Sequence, residues 1–137
     1  MVAALLPPPR VPLERSRWEA PDGDFVDVDF AGPGAGRPLV LLHGLEGGSG
    51  SHYARSLAAR FGEAGWRVAI PHWRGCSGEP NRLARAYHSG DSDELDWLLS
   101  RLPAPLDALG VSLGGNVLLK WLGERGDAAQ ARVRRAA

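Results

Sequence analysis

The sequence predicts an α/β fold built on a mainly parallel sheet, and three observations support this prediction. Residues 25–30 alternate apolar and polar side chains after a turn sequence, which is typical of a half-buried strand in a hairpin. Residues 39–42 are all apolar, as in a strand that is buried on both faces of a parallel sheet. From there, strand-length apolar runs alternate with amphipathic segments, and right-handed crossovers would place helices on both faces of the sheet.

The individual elements follow from local patterns, and neither an internal repeat nor a domain linker separates them. Strand patterns occur at residues 18–20, 25–30, 39–42, 66–70 and 106–109. Helix patterns, with apolar residues recurring on one face, occur at residues 52–64, 91–102 and 113–124. We expect the proline-punctuated residues 1–14 to run extended over the surface, and residues 71–90 to form a long loop.

Composition argues against two kinds of partner, nucleic acid and an anionic lipid surface bound through a polybasic segment. The 137 residues carry 16 Lys+Arg and 16 Asp+Glu, a formal net charge of +0, whereas nucleic acid and anionic lipid both require a basic surface. No apolar run approaches the ~20 residues that span a bilayer, and the first residues lack the basic region of a signal peptide. With one cysteine no intrachain disulfide can form. We therefore expect a cytoplasmic protein without an integral membrane segment, whose oligomeric state is left open.

Residues 110–114, Gly-Val-Ser-Leu-Gly, match the pattern G-x-S-x-G. The motif lies between an apolar strand and an amphipathic helix, where a sharp turn lifts a serine hydroxyl above the sheet. We expect Ser112 to be a catalytic nucleophile, and Gly110 and Gly114 to be required because side chains there would collide with the turn. The N–H of Leu113, at the helix start, is the expected donor to an oxyanion. The alternative is a glycine-rich turn with a surface serine, which the flanking elements disfavour.

A second glycine-rich loop, residues 43–51, follows the first predicted parallel strand. In hydrolases with a G-x-S-x-G turn, a His-Gly loop supplies the second N–H of the oxyanion hole. We expect Leu45 to supply it and Gly44 to shape the loop, with His43 a buried histidine bound to loop backbone. A phosphate-binding loop is excluded, because the loop has no lysine and no complete G-x-x-x-x-G-K-[ST] or G-x-G-x-x-G.

Further motifs share the order and spacing of one family. They are His-Gly-Leu-Glu-Gly at residues 43–47, Arg-Gly-Cys-Ser-Gly-Glu at 74–79, Asn-Arg at 81–82, Tyr-His-Ser-Gly-Asp at 87–91 and Gly-Val-Ser-Leu-Gly-Gly-Asn at 110–116. The chain closely resembles the YheT-like branch of the α/β-hydrolases, which is related to animal abhydrolase proteins that act on lipids and esters. The resemblance implies that residues 15–137 are the N-terminal half of a single α/β-hydrolase domain, truncated before its later strands. The sequence departs from that family at Gly48 and Ser49 in the glycine-rich loop, and at Glu94, where an aspartate is usual.

The remaining polar residues are given structural interpretations. Arg74 and His88 lie in the long loop that should border the site, and we expect them to shape it through a structural network. Asp27 and Asp29 are predicted on the solvent face of their strand. Cys76 is predicted to be a small buried residue, with a reactive thiol as the alternative, and no metal-ligand spacing surrounds it.

The catalytic partners of the serine are missing from the pattern. This fold places the acid and then the histidine after the serine, yet all four histidines precede Ser112. Of the acids, only Glu124 and Asp127 follow it, at or just past the end of the predicted helix. The resemblance implies an acid and a base in a C-terminal half, so we expect the chain alone to show residual esterase activity at most. We also expect strand 106–109 to form an exposed apolar edge.

Together with the serine motif, the resemblance implies hydrolysis of carboxylic esters of the short-chain ester or acylglycerol type. Ser112 would attack the acyl carbonyl, while the N–H groups of Leu45 and Leu113 hold the oxyanion. Neither a metal nor an organic cofactor is implied, and the expected ligand is a small-molecule ester. Two alternatives stay open: thioesterase, amidase or peroxidase-like chemistry on the same scaffold, and a non-catalytic binding remnant.

Overall fold

A six-stranded sheet organises the part of the chain, residues 10–45, 47–83 and 91–137, that the computed structural model describes. The strands are β1 (Glu14–Glu19), β2 (Phe25–Ala31), β3 (Arg37–Leu42), β4 (Trp66–Pro71), β5 (Leu106–Gly110) and β6 (Val133–Ala136). The helices are α1 (His52–Glu63), α2 (Ser92–Ser100), α3 (Leu113–Arg125) and α4 (Asp127–Gln130). None of the helices in these ranges is long and apolar enough to cross a bilayer.

The strand order β1-β2-β4-β3-β5-β6 combines a hairpin with a parallel sheet. Strand β2 is antiparallel to both β1 and β4, whereas the pairs β3–β4, β3–β5 and β5–β6 are parallel. The carboxyl ends of β3, β4 and β5 therefore meet at one edge of the sheet, where ligands bind in folds of this kind. The predicted α/β fold with an N-terminal hairpin is confirmed.

Strand β3 shows why the sequence favours this fold. Val40 and Leu42 pack into a core with α2 and α3, whereas Leu39 and Leu41 pack into a second core with α1. Because successive side chains of a strand point to opposite faces, a strand covered on both faces is apolar throughout. The two cores place helices on both faces of the sheet.

The C-terminal side of the sheet differs from the prediction. Strand β5 is not an exposed edge, because β6 pairs with it in parallel, with Leu106 opposite Val133 and Ala108 opposite Ala136. The buried Asp107 of β5 also accepts hydrogen bonds from two arginines of this last segment, at 2.8 and 3.1 Å. The short, basic β6 has no apolar run, so its strand character depends on pairing that local patterns do not reveal.

The acidic residues of β2 contradict the prediction of a solvent face. Asp27 and Asp29 are 1% and 2% exposed, respectively. Arg17 and Arg15 of the neighbouring β1 lie opposite them in register, and each arginine binds its partner carboxylate through two bonds of 2.8 and 2.9 Å. The alternating pattern was correct, but the polar face is covered by loops, and paired arginines neutralise its charges.

The hairpin begins earlier than predicted. Strand β1 starts at Glu14 and not near residue 18, so the last residue of the predicted N-terminal segment belongs to the sheet. Residues 10–13 have no regular secondary structure, and residues 1–9 lie outside the described ranges.

Candidate active site

The turn between β5 and α3 places Ser112 in a strained backbone conformation at the carboxyl edge of the sheet. Ser112 has φ +53° and ψ −114°, and among the described residues it is the only non-glycine residue with positive φ. Such a conformation costs about 1–3 kcal/mol and is typically kept at functional sites. The turn is held by the N–H of Val111, which donates to the carbonyl of Leu42 at 3.0 Å. The serine is exposed to solvent.

Close backbone contacts explain the glycines on either side of the serine. A Cβ atom added to Gly110 would lie 2.7 Å from the backbone of Gly115, on the first turn of α3. A Cβ atom added to Gly114 would lie 2.2 Å from the carbonyl oxygen of Leu42, at the end of β3. Both distances are shorter than real Cβ contacts, so the turn brings helix and strand together only with glycine at these positions.

Substitution of Gly114 tests this close contact. We expect Gly114→Ala to lower the free energy of unfolding by about 2–3 kcal/mol, because the new methyl group must displace backbone. Gly123→Ala in the same helix is the matched control. Nothing lies within 4 Å of a Cβ atom there, and alanine should stabilise the helix by about 1 kcal/mol. Urea unfolding followed by circular dichroism measures both, and equal stability of the two variants would contradict the contact.

The glycine loop, defined as residues 43–51, borders the serine; Glu46 within it lies outside the described residues. A Cβ atom added to Gly44 would lie 3.3 Å from the Cβ and 3.9 Å from the Oγ of Ser112. The N–H of Gly44 donates to the hydroxyl of Tyr53 at 2.8 Å, so this amide is already bonded. The next amide belongs to Leu45, a residue that is 69% exposed.

His43 is fully buried beneath this loop. Its Nδ1–H donates to the carbonyl of Gly44 at 2.8 Å, and its Nε2 accepts from the N–H of Trp73 at 3.0 Å. The indole N–H of Trp73 in turn donates to the carbonyl of His43 at 2.9 Å. Burial lowers the pKa of His43 to about 4, so the ring is neutral at neutral pH. Both nitrogens are therefore engaged in holding backbone, and neither is free to take a proton from a serine.

Arg74 lies in a buried ion network with three carboxylates. Its side chain donates to Glu94 at 2.6 Å, to Asp22 at 2.7 Å and to Asp24 at 3.4 Å. Burial alone would raise the pKa of Asp24, but hydrogen bonds from residues 25 and 81–83 outweigh it and lower this pKa to about 2. The network thus fastens the long loop and α2 to the β1–β2 turn. His88 lies outside the described residues.

Sequence reasoning missed a second polar cluster, made by Asp29, Ser49 and His72. Both Ser49 Oγ and His72 Nε2 bond Asp29 Oδ2, at 2.6 and 2.8 Å. The sequence did offer one indication of a buried carboxylate: alternate residues of β1 are arginines and alternate residues of β2 are aspartates, and the two sets lie opposite each other in the hairpin. The partners of that carboxylate, Ser49 and His72, lie 20 and 43 positions further along the chain, and contacts over such separations leave no local pattern in the sequence.

A cleft of about 530 Å³ lies against the glycine loop, and Arg15, His72 and Cys76 contribute to its other walls. Cys76 is half-buried there, which corrects the prediction of a buried residue. Within the described ranges, no group of three or more His, Cys, Asp or Glu residues is arranged to hold a metal ion.

Comparison with known sequences assigns the chain to a family. A family model described as the alpha/beta hydrolase fold matches residues 37–137. YheT, a candidate esterase of Escherichia coli (strain K12), is 45% identical over 120 residues, which cover 81% of this chain and 35% of that protein. The medium-chain fatty acid ethyl ester synthase/esterase 2 of Saccharomyces cerevisiae (strain ATCC 204508 / S288c) is 39% identical over 95 residues, covering 65% of this chain and 21% of that protein. The resemblance to the YheT-like branch is thereby confirmed.

Comparison with solved structures supports the same fold. The thioesterase domain from the curacin biosynthetic pathway matches with a TM-score of 0.77 and 19% sequence identity, covering 91% of this chain and 43% of that chain. At this identity the likeness concerns the fold alone. The chain spans about a third or less of the length of the curated relatives named above, 35% and 21%. With its strand order, its strained serine turn and its match over residues 37–137, this chain belongs to the α/β-hydrolase family.

Proposed function

We propose that this chain supplies the nucleophile and the oxyanion-binding elements of a serine hydrolase that acts on carboxylic esters. The observation that carries the proposal is the positive φ of Ser112 on a strand–helix turn, with its side chain beside Gly44. Strain of this kind is retained where an exposed hydroxyl must be presented to a substrate. The name of the yeast relative, which refers to fatty acid ethyl esters, supports this class of substrate.

Two backbone amides are suited to the oxyanion. The N–H of Leu113 stands at the first position of a 13-residue helix, and no hydrogen bond between described residues uses it. The N–H of Leu45 follows the amide that Tyr53 has engaged, in the loop that borders the serine. Preorganised donors of this kind stabilise charge that develops only in the transition state, and each contributes about 2.7–4 kcal/mol.

The proposed reaction proceeds through an acyl-enzyme. Ser112 Oγ attacks the acyl carbonyl and passes its proton to a general base, and the carbonyl oxygen becomes an oxyanion held by the two amides. The tetrahedral intermediate expels the alcohol, which takes the proton from the base. Water then attacks the acyl-serine by the same route and releases the carboxylic acid.

The proposal takes the base and its acidic partner from outside residues 1–137, because this fold places the acid and then the histidine after the serine and no histidine follows Ser112 here. His43 uses both ring nitrogens on backbone, and His72 is bonded to Asp29. A serine hydroxyl without an adjacent base is a weak nucleophile at neutral pH. We therefore infer that residues 1–137 on their own are an inactive or nearly inactive portion of the enzyme.

Labelling with a fluorophosphonate probe tests the proposal, because the probe modifies only activated serines. In the longest form of the protein that its gene encodes, we expect covalent labelling that Ser112→Ala abolishes. Ser100→Ala is the matched control: this serine caps the end of α2 through the carbonyl of Trp97 and should not affect labelling. The chain of 137 residues alone should label weakly.

Absence of labelling in the longest form would instead support a non-catalytic binding protein. Rates on a panel of acyl esters, thioesters and amides of equal chain length then define the reaction. We expect esters to be the preferred substrates, and a preference for thioesters or amides would contradict the proposed substrate class.

A further inference from the structure

The buried carboxylate of Asp29, on β2, contacts the glycine loop at Ser49. We propose that Asp29 is a positioning residue, which acts through Ser49 and His72 to set the place of the Leu45 amide beside the reacting carbonyl. This inference rests on the proposed function, and it adds a residue on β2 that no motif of the fold assigns.

Asp29 gathers three partners from three separate parts of the chain. Its Oδ2 accepts from Ser49 Oγ at 2.6 Å and from His72 Nε2 at 2.8 Å. Arg15 of β1 binds both carboxylate oxygens, at 2.8 and 2.9 Å. The carboxylate thus joins the glycine loop, the end of β4 and the outer strand of the hairpin, so that movement of one displaces the others.

Asp29 stays ionised in this setting. Burial alone would raise its pKa, but the bonds from Arg15, His72 and Ser49 outweigh burial and hold the pKa well below its usual value. Hydrogen bonds to an ionised acceptor are about twice as strong as those between neutral groups. The serine of the loop is therefore held by a strong bond on a rigid strand.

The glycine loop has turn hydrogen bonds of its own, such as that from the Gly47 N–H to the Gly44 carbonyl at 3.1 Å, and the bond to Asp29 anchors it to the sheet. Four of its nine residues are glycine, at positions 44, 47, 48 and 50, and glycine restricts the backbone least. The cleft of about 530 Å³ leaves part of the loop without apolar packing. One attachment, from Gly44 to Tyr53, lies at the start of the loop, and the bond from Ser49 to Asp29 lies near its end.

His72 restrains the loop by contact as well. A Cβ atom added to Gly48 would lie 3.0 Å from Nδ1 of His72, so ring and loop backbone are in close contact. Nδ1 faces the carbonyl of Cys76 at 3.3 Å, and Nε2 faces Asp29. The bond from Nε2 to Asp29 thus holds the ring in place while it supports the loop.

Asp27 provides a matched control on the same strand. It is also buried and is bound by two bonds from Arg17 that have the same lengths as those from Arg15 to Asp29. Its further hydrogen bond goes to Ser77, which is not part of the glycine loop. Asp27→Asn therefore reports the cost of disturbing a buried ion pair of β2 without loss of a bond to that loop.

The test measures kcat and KM for a short-chain ester in the longest form of the protein, with stability measured in parallel. We expect Ser49→Ala and Asp29→Asn each to lower kcat by about 10- to 100-fold while KM changes less than about twofold. Asp27→Asn should match Asp29→Asn in stability and keep kcat near that of the unaltered protein. The variant that carries both Ser49→Ala and Asp29→Asn should be no slower than Asp29→Asn alone, because both substitutions remove the same hydrogen bond.

The outcomes separate this inference from the proposed function. If Ser112→Ala is inactive but Ser49→Ala retains full kcat, the positioning role of Asp29 is wrong and the proposed function stands. Equal losses of kcat in Asp27→Asn and Asp29→Asn also overturn it, because the effect would then be general destabilisation. If Ser112→Ala keeps its activity, the proposed function and this inference fail together.

Discussion

Replacing Ser112 by alanine is expected to lower kcat/KM for ester hydrolysis by about 10⁵- to 10⁶-fold, the size of the effect when a serine nucleophile is removed from an intact triad. The reason is that no other group can form the acyl-enzyme, so that only the binding of substrate and oxyanion remains. Initial rates on short-chain p-nitrophenyl esters, measured with the longest form of the protein, provide the test.

Ser112→Gly is the informative companion to this variant. Both substitutions remove the hydroxyl, so both should be inactive to the same degree. Glycine, however, adopts φ +53° without strain, so Ser112→Gly should be more stable than Ser112→Ala by about 1 kcal/mol. Residual activity above about 1% in either variant would contradict the assignment of the nucleophile. Equal stability would show that the turn stores no strain.

Replacing Arg74 by methionine should produce the largest loss of stability, about 3–5 kcal/mol. The side chains of Asp24 and Glu94 are 0% and 1% exposed, and without the guanidinium group both charges lose their buried cation. Because one partner of a buried pair is removed while the others remain, the desolvation cost of the carboxylates is no longer offset. Urea unfolding measured by tryptophan fluorescence gives the change in free energy.

Arg82→Met is the control for this effect. Arg82 also binds a carboxylate, that of Glu19, but the two side chains are 47% and 64% exposed and water replaces the lost bonds. The urea midpoint of Arg82→Met should therefore shift from that of the unaltered protein much less than the midpoint of Arg74→Met does. Similar shifts for the two arginines would mean that the buried network contributes no more than a surface ion pair.

Much of the candidate site was predictable because its chemistry is local. The turn at residues 110–114 and the His-Gly loop at 43–44 are recognisable from glycine spacing next to apolar strands. The supporting contacts were not predictable. The hydroxyl of Tyr53 accepts from the Gly44 amide, and the hydroxyl of Ser49 donates to the carboxylate of Asp29 on a different element. Nothing in the pattern of a single segment encodes these pairings.

The sequence by itself determined the α/β fold, the alternating strand of the hairpin and the position of the candidate nucleophile, because these depend on periodicity and on local steric limits. Only the tertiary structure decided that Asp27 and Asp29 are buried and that β6 completes the pairing of β5. The physical reason is the same in both cases. A charged side chain enters the interior, and a short basic segment becomes a strand, only when distant residues supply the partners that offset the cost.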